Sequence, residues 1–379
     1  MKYVKTQQES LDINSFNDLL NLFAQSFPLS KTKLKKIFSL VLNSIPYKSI
    51  TLINFEKSIA GALILVDRKI WFKNINLSVC GMSFMAKNKN YNDIEISNLL
   101  IKTVLNESES KDVSIGFASK KMDYYWYRYG FVGVTNFSEF HFDIDKYFLI
   151  DDNKEYSYEN ADKDDLIKLN IIYEKTYRSI SCSFLRDDLL WRYHFKKHSD
   201  TLNFIKIIHK SKIVGYFVHK ENKIYEFAFL HKIQRAVVQI LKNYFISLNK
   251  KEIIFYLSFK HPLLLFLKNF SHKKFEKYVH EGGHVIRIND IKNFLNKIKP
   301  EIEKSLIEQN IMKYHKKIDG VLFEYSKKNL NISFDPSFQD NNISKRNITK
   351  FIFGLKKDTE MDSIISPDLS INFSIIDQF

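Results

Sequence analysis

Apolar residues recur every three or four positions over Ser15–Phe27, where Leu19, Leu20, Leu22, Phe23 and Phe27 form one face. That period predicts a helix, with Ser15 and Asn17 placed to cap it. Lys31–Leu42 repeats the pattern through Leu34, Ile37, Phe38 and Val41. The period then drops to two. Ser49–Phe55, Ala60–Val66, Ile70–Phe72 and Ile75–Met85 are β-rich runs, separated by Glu56-Lys57-Ser58, Asp67-Arg68-Lys69 and Lys73-Asn74. These separators are turn signals, so an antiparallel meander is expected. Asp93–Val104 returns to helical spacing, Val113–Ala118 reads as a buried strand, and Lys120–Tyr129 as a short aromatic helix ended by Gly130. Phe131–Phe142 is expected to be the final strand of this unit.

From near Ser157 the same order of elements comes round again. Asp162–Tyr177 and Asp187–His194 read as helices, and Leu202–His209, Ile213–His219 and Lys223–Leu230 as a second meander. Ile233–Leu248 reads as a helix, Ile253–Ser258 as a strand, Leu263–Phe270 as a helix and Phe275–Ile288 as a hairpin. Asp290–Pro300 then predicts a connector helix through Ile291, Phe294, Leu295 and Ile298, with Glu301–Met312 continuing in helical style. Val321–Phe334 alternates like a strand pair, and Thr349–Leu355 is a short helix. The expected organisation is 1–150, 151–290 and 291–379, the last a small domain that needs to dock on the others.

A length of 379 residues suits two or three domains, and 45% hydrophobic with 27% charged residues excludes a wholly disordered chain. The longest apolar runs, such as Ala62–Val66 and Pro262–Leu267, fall far short of the ~18 residues of a membrane-spanning helix. Met1–Asn14 is polar and has no secretory apolar stretch. Cys80 and Cys182 are the only cysteines, which gives neither a disulfide framework nor a zinc spacing. A reduced, cytoplasmic setting is the expectation. The net charge of +15 lies entirely within residues 191–320, which hold 26 Lys+Arg against 11 Asp+Glu. A basic segment attracts phosphates, nucleic acid or anionic lipid. No stacking motif or Arg cluster accompanies it, so AT-rich coding bias also accounts for the lysines.

Three constellations carry candidate chemistry. His280-Glu281-Gly282-Gly283-His284 fits H-E-x-x-H, which binds zinc when the two imidazoles share a helix face. Two glycines between strand-like flanks point instead to a turn. Cys182 offers a thiol without a histidine close in sequence, and His194 and His198 share i, i+4 spacing without an evident third ligand. The third constellation is Tyr124-Tyr125-Trp126-Tyr127-Arg128-Tyr129-Gly130-Phe131. It follows a strand ending Ser83-Phe84-Met85, a loop Ala86–Asn92, a helix, and the strand Val113–Ala118.

This order resembles the GNAT superfamily of acyl-CoA-dependent N-acetyltransferases, with Tyr124–Phe131 similar to the family's FYxxxGF segment. Two such units and a small domain resemble the tandem acetyltransferases of the enhanced-intracellular-survival type, whose third domain is sterol-carrier-protein-like. Ile213-Val214-Gly215-Tyr216, Lys260-His261-Pro262-Leu263, Gly282–Ile288, Leu322–Phe334 and Lys350–Gly354 also fit that type. The resemblance implies an α/β (α+β) chain of two mixed-sheet GNAT-like domains and a sterol-carrier-like α+β domain. It implies acetyl-CoA as cosubstrate, no metal, an amine acceptor and a homo-oligomer as one form of assembly.

In the family, two parallel strands splay apart and hold the pantetheine arm. That implies cofactor contacts at Phe84, Met85, Ala86, Asn92, Ile94, Glu95, Ser97 and Ser119. The terminal carboxylate, here on Phe379, is the implied base. The family's pyrophosphate turn is usually R/Q-x-x-G-x-G/A, and its Arg and Gly positions hold Asn92, Glu95 and Ser97. Trp126 occupies the family's acid Tyr position, flanked by Tyr125 and Tyr127. Two further readings are a catalytically inactive GNAT-like binding protein and an anionic-surface or nucleic-acid binder through residues 191–320.

Overall fold

The computed structural model describes residues 4–8, 11–27, 29–45, 47–56, 58–91, 94–118, 123–133, 137–144, 155–178, 180, 182–230, 234–257, 261–267, 273–277 and 283–353. Among them are seventeen strands and ten helices, in two mixed seven-stranded sheets and one three-stranded sheet. The expected mixed α/β class is the class found.

The first helix, α1 (Ile13–Ser26), is capped by Asp12 rather than Ser15 or Asn17. The Asp12 carboxylate accepts from the Asn14 and Ser15 N–H groups, both at 2.8 Å. Ser30 caps α2 (Lys31–Ser44) by accepting from the Lys33 N–H at 3.3 Å. Each such cap is worth ~1 kcal/mol. The apolar faces predicted for both helices are buried together: Phe23 and Phe38 meet Phe84 on the sheet beneath.

That sheet contains β1 (Val4–Gln8), β2 (Tyr47–Phe55), β3 (Ser58–Phe72), β4 (Ile75–Lys87), β5 (Val113–Ala118) and β6 (Val132–Gly133). Its other face carries α3 (Ile94–Glu107) and α4 (Asp123–Tyr127). Asp67-Arg68-Lys69, read as a turn, lies inside one fifteen-residue strand, with Asp67 opposite Cys80. Three charges in a row look like solvent. Here the edge of β3 beyond the end of β2 is covered by residues 183–185: Trp71 N–H donates to Ser183 O and Leu185 N–H to Lys69 O, both at 2.9 Å. Lys111 pairs with Asp67 at 3.0 Å.

The two halves exchange strands. Phe131–Phe142 is not one strand: after β6 the chain enters β7 (Phe137–Asp143), which lies in the second sheet. That sheet also holds β8 (Tyr156–Asn160), β9 (Asn203–His209), β10 (Lys212–Lys220), β11 (Lys223–Phe229), β12 (Glu252–Phe255) and β13 (Lys273–Lys277). β7 sits between β12 and β13, antiparallel to both. In return β14 (Gly283–Ile288) crosses to the first sheet and sits between β5 and β6. The expected hairpin over Phe275–Ile288 is therefore overturned, since β13 and β14 pair in different sheets. Alternation fixes which side chains of a strand face a core, and Phe140 and Phe142 do so. It does not fix which sheet supplies the partner.

Helices α5 (Leu166–Tyr177) and α6 (Asp188–His198) cover one face of the second sheet, and α7 (Gln234–Ser247) and α8 (Pro262–Leu267) the other. The C-terminal unit has α9 (Ile291–Glu308), the antiparallel strands β15 (Lys313–Ile318), β16 (Val321–Ser326) and β17 (Asn329–Phe334), and α10 (Asn342–Phe353). The two helical stretches around Pro300 are one helix, α9. This unit docks as expected. Phe294, Ile298, Phe323 and Phe353 share one buried cluster with Phe72, Leu77, Val79 and Ile115 of the first sheet.

Candidate functional site

Strands β4 and β5 run parallel and pair only at Val79↔Val113, Cys80↔Ser114 and Gly81↔Ile115. Beyond that, β4 runs on to Lys87 and β5 to Ala118 without pairing to each other. The result is a wedge with its apex at Gly81 and Ile115, open toward the N-terminal end of α3. β4 stays bound to β3 along its whole length, with one bulge: Leu65 pairs with Met82 and Ile64 with Phe84, leaving Ser83 over. The bulge turns Phe84 and Ala86 into the α1–α2 layer and Met85 toward α3 and α4.

The orientation of the strand edge follows from one hydrogen bond. Asn88 N–H donates to Ala60 O at 2.9 Å, so Ala60 faces β4. Antiparallel pairs alternate between bonded and non-bonded. Ala62↔Ala86 and Ile64↔Phe84 are then bonded pairs, whereas Leu63↔Met85 and Gly61↔Lys87 are not. The N–H and C=O groups of Met85 and Lys87 therefore point into the wedge, and nothing among the described residues takes them up. The Ser83 hydroxyl, at the bulge, is buried and has no partner among the described residues.

Aromatic residues close the α3–α4 side. Trp126 is buried against Phe131, with ring centroids 5.1 Å apart, in the cluster that holds Met82, Ala118 and Val285. Tyr125 packs on the same cluster, and Tyr127 stands outside it. Gly130, at φ +83°, ends α4 in the left-handed conformation that the sequence position predicts, with Phe131 N–H donating to Trp126 O at 3.3 Å. Tyr125 hydrogen-bonds to Ser97 and Tyr129, and Tyr129 OH donates to Asn98 Oδ1 at 3.3 Å. Burial, followed by the Tyr129 hydrogen bond, pushes the Tyr125 phenol up to about 12. These tyrosines thus lean on the first turn of α3, where Ile94 and Glu95 are exposed and Ser97 half-buried. Asn92, Ser119 and Phe379 lie outside the described residues.

The overall fold matches solved structures. The chain has the fold of the GCN5-related N-acetyltransferases. It is 13% identical to the one from Anabaena variabilis, over 98% of each chain, with a TM-score of 0.69. Eis1 from Mycobacterium abscessus is 10% identical, covering 98% of this chain and 97% of its own, at 0.60. A probable N-acyltransferase from Enterococcus faecalis is 12% identical, covering 78% of this chain and 75% of its own, at 0.63. No protein-family model and no curated protein sequence matches the chain.

The second seven-stranded sheet repeats the wedge and then closes it. β11 and β12 pair only at Lys223↔Ile254 and Ile224↔Phe255, and Leu230 N–H donates to Val214 O at 2.9 Å. By the same alternation, Phe227 and Phe229 face the opening. Their backbone groups are taken by the chain itself. Phe227 N–H donates to Tyr177 OH at 3.3 Å, and His261 Nε2 donates to Phe227 O at 2.7 Å. Thr176 Oγ1 accepts from Phe229 N–H and donates to Phe229 O, both at 3.0 Å. Leu263 N–H donates to His261 Nδ1 at 3.2 Å, and complete burial lowers this imidazole to about 4, so it is the neutral tautomer. Behind this edge, Arg186 forms a two-point ion pair with Glu226 at 2.9 and 2.5 Å, both side chains fully buried. Tyr216 OH donates to Glu226 Oε1 at 2.7 Å, and the guanidinium lies 4.2 Å from the Tyr173 ring centroid.

The other candidates do not form sites. Cys182 is fully buried, and burial pushes its thiol up, away from a nucleophilic thiolate. His284 is on strand β14, edge-on to Phe117 at 5.3 Å, so it lacks the helical setting of a zinc motif; His280 lies outside the described residues. His194 and His198 stack on α6 at 6.5 Å. Among the described residues no group of three His, Cys, Asp or Glu could hold a metal, and no helix is long and apolar enough to cross a membrane. Sequence reasoning missed Met82, Ser83, Lys87 and Gly116. A lone glycine inside the apolar run Val113–Ala118 was the available signal, because it marks close approach by a neighbour.

Proposed function

We propose that the first half of the chain binds acyl-CoA in the β4–β5 wedge and transfers the acyl group to an amine. The observation that carries this is the pair of wedge-facing backbone groups at Met85 and Lys87, which the second half satisfies internally at Phe227 and Phe229. A pantetheine arm carries two amides and would pair with such an edge as an added strand does. Phe84 and Ala86 anchor the strand from below. The pyrophosphate end would meet the turn at Asn92 and the first residues of α3, Ile94, Glu95 and Ser97. Backbone N–H groups at a helix N-terminus favour an anion there, while the Glu95 side chain opposes it. Ser119, the next residue in sequence after β5, is proposed as a further contact.

The chemistry needs a base to take a proton from the ammonium. The freed amine attacks the thioester carbonyl, the C–S bond breaks, and the departing thiolate accepts a proton. We assign the base to the Phe379 carboxylate. The 26 residues after Phe353 can span up to ~90 Å, ample for this. Tyr125, held protonated, is the proposed proton donor, with Tyr127 as the second; Trp126 packs and does not titrate. In this reading the C-terminal unit is the sterol-carrier-like domain of a tandem acetyltransferase. Its α10 reaches the aromatic helix, since a Cβ on Gly130 would sit 3.1 Å from Asn342 O.

Calorimetric titration with CoA tests the reading, with saturable binding expected. One residue added after Phe379 should lower acetyl transfer strongly and leave CoA affinity unchanged; unchanged transfer removes the carboxylate from the mechanism. A buried Trp126 and a phenol at about 12 favour a second reading, a GNAT-shaped binding protein without catalysis. CoA binding without transfer to any amine would support it.

A further inference from the structure

We propose that Met82 sets the length of the acyl chain, admitting acetyl and excluding chains as long as hexanoyl; this rests on the acyl-CoA reading above. A pantetheine arm that enters at the α3 end of β4 passes Lys87 and then Met85, heading for the apex. Its acyl end therefore arrives where β4 and β5 converge, at the register position just beyond Gly81 and Ile115. That position is Met82 on β4 and Gly116 on β5. Met82 is 6% exposed, and its thioether lies across the gap: a Cβ on Gly116 would fall 2.2 Å from Met82 Cε.

Among the described residues the surroundings are filled. Cys80, Leu65, Trp126 and Phe131 fill the same cluster, and below the apex the strands are zipped by their own ladder. The end of the wedge is thus apolar: the strands are close there, a Cβ on Gly116 falling 3.5 Å from Met82 Cβ, and the unbranched, flexible thioether lies over the convergence. An acetyl group ends short of it. Four more methylenes would have to displace the thioether or break the Gly81↔Ile115 pairing. The same geometry explains the glycine at 116, because any side chain there would push Met82 into the space left for the thioester.

The test compares the calorimetric affinities of CoA, acetyl-CoA and hexanoyl-CoA for the wild-type chain, Met82→Ala and Met82→Leu. The wild type should bind CoA and acetyl-CoA alike and hexanoyl-CoA at least tenfold more weakly. Met82→Ala should bring hexanoyl-CoA to within about threefold of acetyl-CoA, and Met82→Leu, of similar volume, should keep the discrimination. Equal wild-type affinity for the two thioesters overturns the proposal, and so does discrimination that survives Met82→Ala. The wild-type ratio decides alone if Met82→Ala fails to fold. Absence of any CoA binding overturns the acyl-CoA reading and this proposal together, whereas CoA binding without length selection overturns this proposal only.

Discussion

Lys87→Pro removes one backbone donor from the wedge and touches little else. Lys87 is the last residue of β4 and stands opposite Gly61 in a non-bonded pair, so its N–H is not part of the β3–β4 ladder. Ala86 before it is already extended, as the residue before a proline must be. The fold should therefore lose no hydrogen bond, and stability should change by no more than ~1 kcal/mol. A ligand carbonyl that accepts from this N–H loses one net hydrogen bond, worth ~0.5–1.5 kcal/mol. That converts to roughly a two- to thirteenfold loss of CoA affinity. Lys87→Ala is the control, because it removes the ammonium and keeps the N–H. Calorimetry on both variants, with thermal unfolding alongside, isolates the backbone contribution. If Lys87→Pro binds CoA as tightly as Lys87→Ala, the strand edge is not the pantetheine site. If Lys87→Pro unfolds instead, the N–H belongs to the ladder and the deduced alternation is wrong.

Two predictions concern the closed second half. Glu226→Gln leaves the fully buried Arg186 guanidinium without its counter-charge and should cost ~3–5 kcal/mol, read as a fall in the denaturation midpoint. Arg186→Met with Glu226→Leu removes both charges and should cost less than that single change; a double variant less stable than Glu226→Gln would refute the desolvation account. His261 is the pH-sensitive member of the plug. Its folded pKa of about 4 lies below the unfolded value, so between pH 6.5 and 4 only the unfolded chain takes up this proton. Stability should therefore fall as pH drops through that window, by at most ~3 kcal/mol from this group. His261→Gln should flatten the dependence, and an unchanged pH profile of the denaturation midpoint in that variant would show that His261 does not contribute it.

Local order was legible along most of the chain because it rests on short-range physics. Periodicity alone placed the meanders, the aromatic helix and its glycine stop. The misread places are those where distant residues set the environment. Asp67-Arg68-Lys69 looks like a turn until residues 183–185 cover the strand edge it belongs to. Phe137–Asp143 and Gly283–Ile288 were recognisable as strands, yet their sheets were not, because alternation encodes a buried face and carries no address for the neighbouring strand.

The candidate site divides in the same way. The sequence by itself determined the residues that build two parallel pairs, each followed by a helix, and the glycine, methionine and aromatics set among them. Only the tertiary structure decided that the pairs diverge after three residues in one half and two in the other. It also decided that no described residue claims the first edge, which faces the opening, while Tyr177, Thr176 and His261 claim the second. Backbone donors and acceptors are the same at every position of a sequence. Which of them stay available depends on side chains that arrive from elsewhere in the chain, and that is fixed only when the chain has folded.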